Sequence, residues 1–296
     1  MALDERAQSV VRQDRAFISV TGPEARGFLQ GLLSQDVEKV RDGVAAYGAL
    51  LTPQGKFLHD LFLTAYGDGV LLECEADRAD DLALRLKRYK LRAKVDLEIL
   101  EGWATALAWG GDVLGLGDTP GVSIEREGAT LYVDPRLLAL GYRIIGPEPA
   151  VAKCVSGLLI ADLKSFGRHR LALGVPEGQA DIVVDRGFLL ENGFDELNGV
   201  DWKKGCYVGQ ELTARTKYRG LVKRRLMPVR IEGPPPAPGE ALDFEGKNAG
   251  EMRSAVGDLG LALVRLDTWR AAAEVGAAIT AGEVKLWPYK PDWARF

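Results

Sequence analysis

The sequence predicts an α+β fold that ends in a small β-barrel, and three observations carry that prediction. Strand-like apolar runs interleave with two amphipathic helices over the first hundred residues, and a comparable series follows without a sequence-level repeat. The segment Pro234 to Gly239, with four prolines in six residues, can continue neither a helix nor a central strand. Beyond it lie short glycine-separated apolar runs such as Gly260 to Arg265, the pattern of a small barrel or sandwich. Three segments follow from these breaks: an N-terminal α+β domain at 1–100, a second at 101–220 partly intertwined with the first, and a barrel domain at 221–296.

Each element has a local reason. Ala16 to Val20 reads as a strand, and Thr21-Gly22-Pro23-Glu24 has capping-box spacing with proline early in the helix it opens. Phe28, Leu29, Leu32 and Leu33 recur at helical spacing in that helix, with Gln30, Gln35 and Asp36 between or just beyond them. Tyr47 to Leu51 and Phe57 to Ala65 form a hairpin, because Thr52-Pro53-Gln54-Gly55 suits a type I turn. Val70 to Cys74 is a strand, and Asp77 to Lys90 a helix with Leu82, Leu86 and Tyr89 on one side. Val95, Leu97 and Ile99 alternate with Asp96 and Glu98 as a half-buried strand should. The second series has strands at Trp103 to Trp109, Ala129 to Val133 and Tyr142 to Ile145, then helices at Val151 to Ile160 and Asp162 to Leu173.

Composition narrows the function. The chain has 296 residues, 47% of them apolar, so it can bury a sizeable core, and its formal charge of −4 provides no bulk attraction to nucleic acid or to an anionic membrane. No stretch approaches the roughly 18 uninterrupted apolar residues of a membrane span, and Met1 to Arg6 has early charges and no apolar core of a signal peptide. Neither direct nucleic-acid binding nor a membrane association is expected. Three cysteines, Cys74, Cys154 and Cys206, make an odd number with no CxxC pair, which fits a reducing compartment and excludes a self-contained metal or cluster site. The expected location is the cytoplasm of a bacterium, or the mitochondrial matrix in a eukaryote.

Cys206 is the cysteine set apart by its neighbours. It lies between Gly205 and Gly209, follows Lys203 and Lys204, and precedes Gln210, Glu211 and Arg215. Nearby cations favour a thiolate, and two glycines let the backbone bend and approach a partner closely. Cys74 in an apolar strand and Cys154 on a helix facing Leu158 read instead as small buried side chains. The run Lys217, Arg219, Lys223, Arg224 and Arg225 is the one dense basic stretch of an acidic chain, suited to an anionic folate tail or an acidic partner surface.

The run Lys204-Gly205-Cys206-Tyr207-Val208-Gly209-Gln210-Glu211 resembles the K-G-C-Y-x-G-Q-E signature of the YgfZ family, which includes the mitochondrial Iba57 and Caf17 iron–sulfur assembly factors. The resemblance extends to Phe28 through Asp36, Tyr47 through Lys56, Gly174 through Gly178, Leu190-Glu191-Asn192, Leu197 through Val200, Leu212 through Arg215 and Gly250 through Ser254. It implies a three-domain ring of the glycine-cleavage T-protein type, made of two intertwined ferredoxin-like units and a C-terminal barrel, with tetrahydrofolate in the central opening. It implies a role in assembling or repairing [4Fe–4S] proteins, and through such enzymes an effect on tRNA modification.

In that picture Cys206 carries the chemistry, and the cofactor-binding set is Glu191, Asn192, Lys204, Gly205, Tyr207, Gly209, Gln210, Glu211 and Arg215. Glu191 falls where the T-protein relatives place a folate-holding glutamate, and a carboxylate suits a pterin because it can hold a planar amide edge by paired hydrogen bonds. One thiolate cannot hold an iron–sulfur cluster alone, so a transient cluster would be shared with an assembly or client protein. Two enzymes compete with this accessory role: a folate-dependent aminomethyltransferase, and a cysteine hydrolase with His169 or His59 as base. The T-protein enzymes lack the cysteine motif, and the motif lacks an oxyanion-hole context.

Overall fold

The computed structural model describes residues 7–111 and 114–296. Met1 to Arg6, read above as lacking the apolar core of a signal peptide, falls outside the described residues. Two compact units are present. The first comprises the chain up to Leu51, His59–Leu163 and Leu197–Val208, and the second Thr52–Leu58, Lys164–Glu196 and Gly209–Phe296.

The first unit is built of two sheets. Its elements are β1 (Gln8–Arg12), β2 (Arg15–Thr21), α1 (Ala25–Gln30), β3 (Ala46–Leu51), β4 (Phe57–Tyr66), β5 (Gly69–Glu75), α2 (Ala79–Lys90) and β6 (Asp96–Leu100). There follow β7 (Trp103–Trp109), β8 (Ser123–Arg126), β9 (Ala129–Val133), β10 (Tyr142–Pro147), α3 (Glu148–Val155) and β11 (Leu159–Ile160). One sheet runs β3-β4-β5-β2-β6 and the other β11-β1-β7-β10-β9-β8. The chain thus starts in the second sheet, crosses to build the first, and returns at β7, which is the intertwining that the resemblance implies.

Strand register sets what each face of the first sheet carries. Phe17, Glu73 and Phe62 are cross-strand neighbours, as are Ile18, Leu72 and Leu63 in the adjacent row, so the two rows point to opposite faces. The Glu73 row faces the second sheet: the Glu73 carboxylate accepts hydrogen bonds from Arg15 Nε (2.9 Å), Thr105 Oγ1 (3.0 Å), Tyr132 Oη (3.2 Å) and Arg143 Nη2. The Arg143 guanidinium also stacks 3.7 Å from the centre of the Phe62 ring, with that of Arg136 4.8 Å away. Burial pushes the Glu73 carboxyl upward, but Arg143 and Arg15 outweigh it and bring its pKa down to about 2. An unpaired charge at such a site would cost several kcal/mol, on the order of 3–5, so the ion network is obligatory for this packing.

The second unit holds α4 (Leu163–Ala172), α5 (Gly178–Asp181) and α6 (Gln210–Tyr218), followed by β12 (Arg224–Glu232), β13 (Ala241–Phe244), β14 (Lys247–Val256), β15 (Leu259–Arg265), α7 (Leu266–Glu274), β16 (Ile279–Ala281) and β17 (Val284–Pro288). The strands close a barrel in the order β12-β15-β14-β13-β16-β17, filled by Met227, Val229, Met252, Ala262, Val264 and Leu286. Gly250 lets β14 and β15 close: its φ is +144°, and a Cβ there would meet Leu263 O at 2.1 Å. Asp181 ties two of the resembling motifs together, accepting from Arg170 Nη1 at 2.6 Å, from the Glu177 amide at 2.8 Å and from Ser254 Oγ.

Several local expectations change. The capping box does not form, because Thr21 stays in the β2–β6 ladder opposite Asp96 and the Glu24 carboxylate accepts from the Lys94 amide. Gly22, at φ +102°, makes the turn instead. The helix expected to run to Ile160 stops at Val155, and Leu159 and Ile160 become an edge strand parallel to β1. Tyr89, near the end of α2, is exposed rather than buried, and so is Ile99, since β6 is the outer strand of its sheet. Among the described residues no helix is long and apolar enough to cross a membrane, and no group of three or more His, Cys, Asp or Glu side chains could hold a metal ion.

Candidate functional site

The cysteine segment is stitched to the end of α1 and the loop that follows it. Ser34 Oγ donates to Gly199 O at 2.6 Å and accepts from the Ala49 amide at 2.8 Å, while the Asp201 amide donates to Ser34 O. Gln35 Nε2 bridges Tyr47 O at 3.2 Å and Asn198 O at 2.6 Å. Asp201 accepts from the amides of Lys203 and Lys204 at 2.7 and 3.2 Å and pairs with Lys39, so it folds the chain into the turn that starts the motif. Ser34 and Gln35 are therefore anchors for the segment that leads into the cysteine loop.

Lys204 is the strongest of these ties. Its side chain is buried, and its Nζ donates to Gln30 O at 2.9 Å, Leu33 O at 2.5 Å and Gln35 O at 2.7 Å. Burial draws its pKa down to about 8 against the pull of Asp36 and Asp201. Tyr207 is buried as well, with the Lys204 ammonium 5.2 Å from its ring centre, and the Val208 amide donates to Gly31 O at 3.1 Å. Between these anchors Gly205 and Cys206 stand exposed. The loop is pinned on both sides and presents its thiol at the tip.

The three cysteines differ as their neighbours do. Cys206 is exposed, Cys154 is half-buried with its thiol 3.6 Å from Arg126 O, and Cys74 is fully buried with a thiol pushed up to about 12 by burial. Of the two glycines, Gly209 carries the conformational demand, at φ +83° as the residue that opens α6. A Cβ at Gly205 would meet nothing within 4 Å. All three donors of Lys204 go to backbone carbonyls, and Lys203 is the exposed cation of the pair. Beside this loop the first unit has an open cleft of about 540 Å³ lined by Lys39, Tyr47, Asn198, Asp201, Trp202 and Lys203.

The remaining expected residues lie in the second unit. Glu191 sits in a short 3-10 turn, Leu190–Asn192, and both its oxygens accept from the Arg224 fork, Nε at 3.0 Å and Nη2 at 3.1 Å. The pair lines a cleft of about 310 Å³ together with Val183, Arg186, Glu251 and Arg253. Asn192 is buried and donates to Phe188 O at 2.8 Å, so it holds the turn. Gln210 and Glu211 open α6, and Arg215 is exposed near its end. Arg224 and Arg225 drop out of the expected basic stretch: the first pairs with Glu191, and the second is buried against Glu196 and Leu190 O. His59, one of the two possible bases, is buried with Nε2 2.9 Å from Asp81.

Similarity to known proteins agrees with this architecture. Residues 223–296 match the family described as CAF17, C-terminal beta-barrel domain. The human protein named iron-sulfur cluster assembly factor IBA57, mitochondrial, is 34% identical over 94% of this chain and 83% of its own length, and the mouse protein of that name is 33% identical over the same shares. The chain belongs to the IBA57 family. An IBA57 homolog of Pyricularia oryzae is 35% identical over 86% of this chain and 71% of its own. The fold is that of the glycine cleavage T-protein: the aminomethyltransferase T of Bartonella henselae superposes with a TM-score of 0.77 over 98% of this chain and 86% of its own, at 18% identity.

Proposed function

We propose that this IBA57-family chain assembles or repairs [4Fe–4S] proteins and that Cys206 is the residue through which it acts. The observation that carries this reading is the loop itself, an exposed thiol between two buried anchors, Lys204 and Tyr207. The relatives named as iron-sulfur cluster assembly factors give the process. A single thiolate leaves three ligand positions of a cluster unfilled, so Cys206 serves as one donor of a cluster shared with a partner, or as a nucleophile that takes the outer sulfur of a client persulfide, whose S–S bond breaks and whose own thiolate leaves. The chain has no metabolic turnover of its own in this reading. Its place in this reading is the mitochondrial matrix, its relatives being named as mitochondrial, or the cytoplasm of a bacterium.

Tetrahydrofolate is the companion proposal, and Glu191 is its contact. A carboxylate has about four acceptor positions, of which the Arg224 fork uses two, so Glu191 retains capacity for a pterin amide edge while Arg224 fixes its plane. Arg186 and Arg253 on the same cleft suit the carboxylates of a folate tail. Bound folate would supply one-carbon chemistry, and this chain's residues would orient and hold it.

Complementation of a strain lacking its own family member separates the two functions. The native chain restores [4Fe–4S] enzyme activities, and lowered tRNA modification recovers with those enzymes. Cys206→Ala fails in every such readout, and Glu191→Ala fails only where folate matters. Normal activities with Cys206→Ala would end the thiol reading.

A further inference from the structure

The stretch 212–231 holds seven cations and no carboxylate, in a chain whose acids outnumber its bases. The structure divides those cations by what they touch, and Arg230 is set apart with its guanidinium 5.9 Å from the centre of the Tyr289 ring. Lys217, Arg224 and Arg225 are tied to Asp195, Glu191 and Glu196 of their own unit. Arg215, Arg219 and Lys223 are exposed and form no ion pair among the described residues. Arg215 and Arg219 are four residues apart at the end of α6, with Tyr218 beside them at the i+3 position, so the three share one helix face. Tyr218 is 76% exposed, and Leu221, in the turn leading to Lys223, is 48% exposed.

Cations at a helix C-terminus complement its dipole, which accounts for Arg215 and Arg219. It does not account for the exposure of Tyr218 between them or of Leu221 just beyond. Arginine and tyrosine around an apolar side chain are the composition of the core of a protein interface. A nucleic acid would satisfy the cations and leave Leu221 unmatched, and the chain's net charge of −4 opposes a long polyanion.

We propose that Arg215, Tyr218, Arg219, Leu221 and Lys223 form the docking surface for a protein partner that presents carboxylates around an apolar side chain. This rests on the assembly reading above, in which Cys206, nine residues before Arg215 in the chain, works on another protein. The surface gives the partner its orientation and the thiol gives the chemistry, so the two can be broken separately.

The test places a photo-cross-linking amino acid at position 218 of the full chain in cells, and maps the cross-linked peptide by mass spectrometry. The expected product is a nuclease-resistant protein adduct whose cross-linked segment is rich in Asp and Glu. Its yield should fall by about tenfold or more when Arg215, Arg219 and Lys223 are all changed to Glu, since like charges across an interface are strongly unfavourable. The same triple variant, purified, should keep the melting temperature of the native chain, which separates lost docking from lost fold. A nuclease-sensitive adduct, a yield indifferent to charge reversal, or no adduct at all would overturn the proposal. Cys206→Ala should keep the adduct and lose [4Fe–4S] enzyme activity; normal activity with the adduct intact would overturn the assembly reading and leave the docking surface standing.

Discussion

Replacing Lys204 with Met tests whether the cysteine loop is held as described. Met keeps the length and apolar stem of the side chain and removes all three donors. The carbonyls of Gln30 and Gln35 are in part-buried bonds that water can replace, whereas the bond to Leu33 O is buried. A hydrogen bond from a charged donor contributes about 1.5–3 kcal/mol, and leaving one buried carbonyl unmet costs about 1–3 kcal/mol. The ammonium's own burial, which lowers its pKa to about 8, is relieved in the variant and offsets part of that loss. The net expectation is destabilisation by about 2–3 kcal/mol, well short of global unfolding for a domain stable by about 5–15 kcal/mol. Urea denaturation gives the loss, and hydrogen exchange at the Val208 amide, which bonds to Gly31 O, reports the loop. A variant as stable as the native chain to about 0.5 kcal/mol, with Val208 equally protected, would refute the anchoring role.

Other consequences are equally direct. Glu73→Gln leaves Arg15 and Arg143 facing each other without their carboxylate, and should cost about 3–5 kcal/mol in thermal denaturation; a melting temperature unchanged within two or so degrees, about 1 kcal/mol or less, would remove the ion network from the account. His59 is held neutral, its pKa drawn from 6.5 to about 4 by burial and by Arg78 against its bond to Asp81. The unfolded chain takes up that proton first, so stability is full above about pH 6.5 and falls toward pH 4 by about 3 kcal/mol. His59→Gln should flatten that part of the pH–stability curve, and an unaltered curve would show that other groups set it. Brief iodoacetamide treatment of the native fold should label Cys206 first and leave Cys74 untouched, because burial keeps the Cys74 thiol protonated; peptide mass mapping that finds Cys74 labelled as fast would contradict the burial described.

Much of this fold is legible wherever one residue pattern decides one element. Trp103–Trp109 and Ala129–Val133 are strands with the bounds that their apolar runs suggest, and the turn at Thr52 to Gly55 joins β3 to β4 as its proline and glycine require. Pairing between distant segments decides the rest. Gln8–Arg12 and Leu159–Ile160 have little strand character alone; the first becomes a strand by pairing with β7, and the second by pairing with the first. The site divides in the same way. An exposed Cys206 follows from its polar, turn-forming neighbours, but nothing near Lys204 in sequence shows that its ammonium reaches carbonyls about 170 residues earlier in the chain. Arg224 likewise reads as one cation among many until the fold sets it on Glu191, 33 residues before it.

The proposed function depends most on the sulfur atom at position 206. In cells whose own family member has been removed, the activity of a [4Fe–4S] enzyme should be compared with that of a [2Fe–2S] enzyme, using the native chain and the Cys206→Ser chain at equal abundance. The serine variant should leave the [2Fe–2S] activity intact and fail to restore the other. Equal restoration of both by the serine variant would mean that the exposed thiol is not what this protein works with.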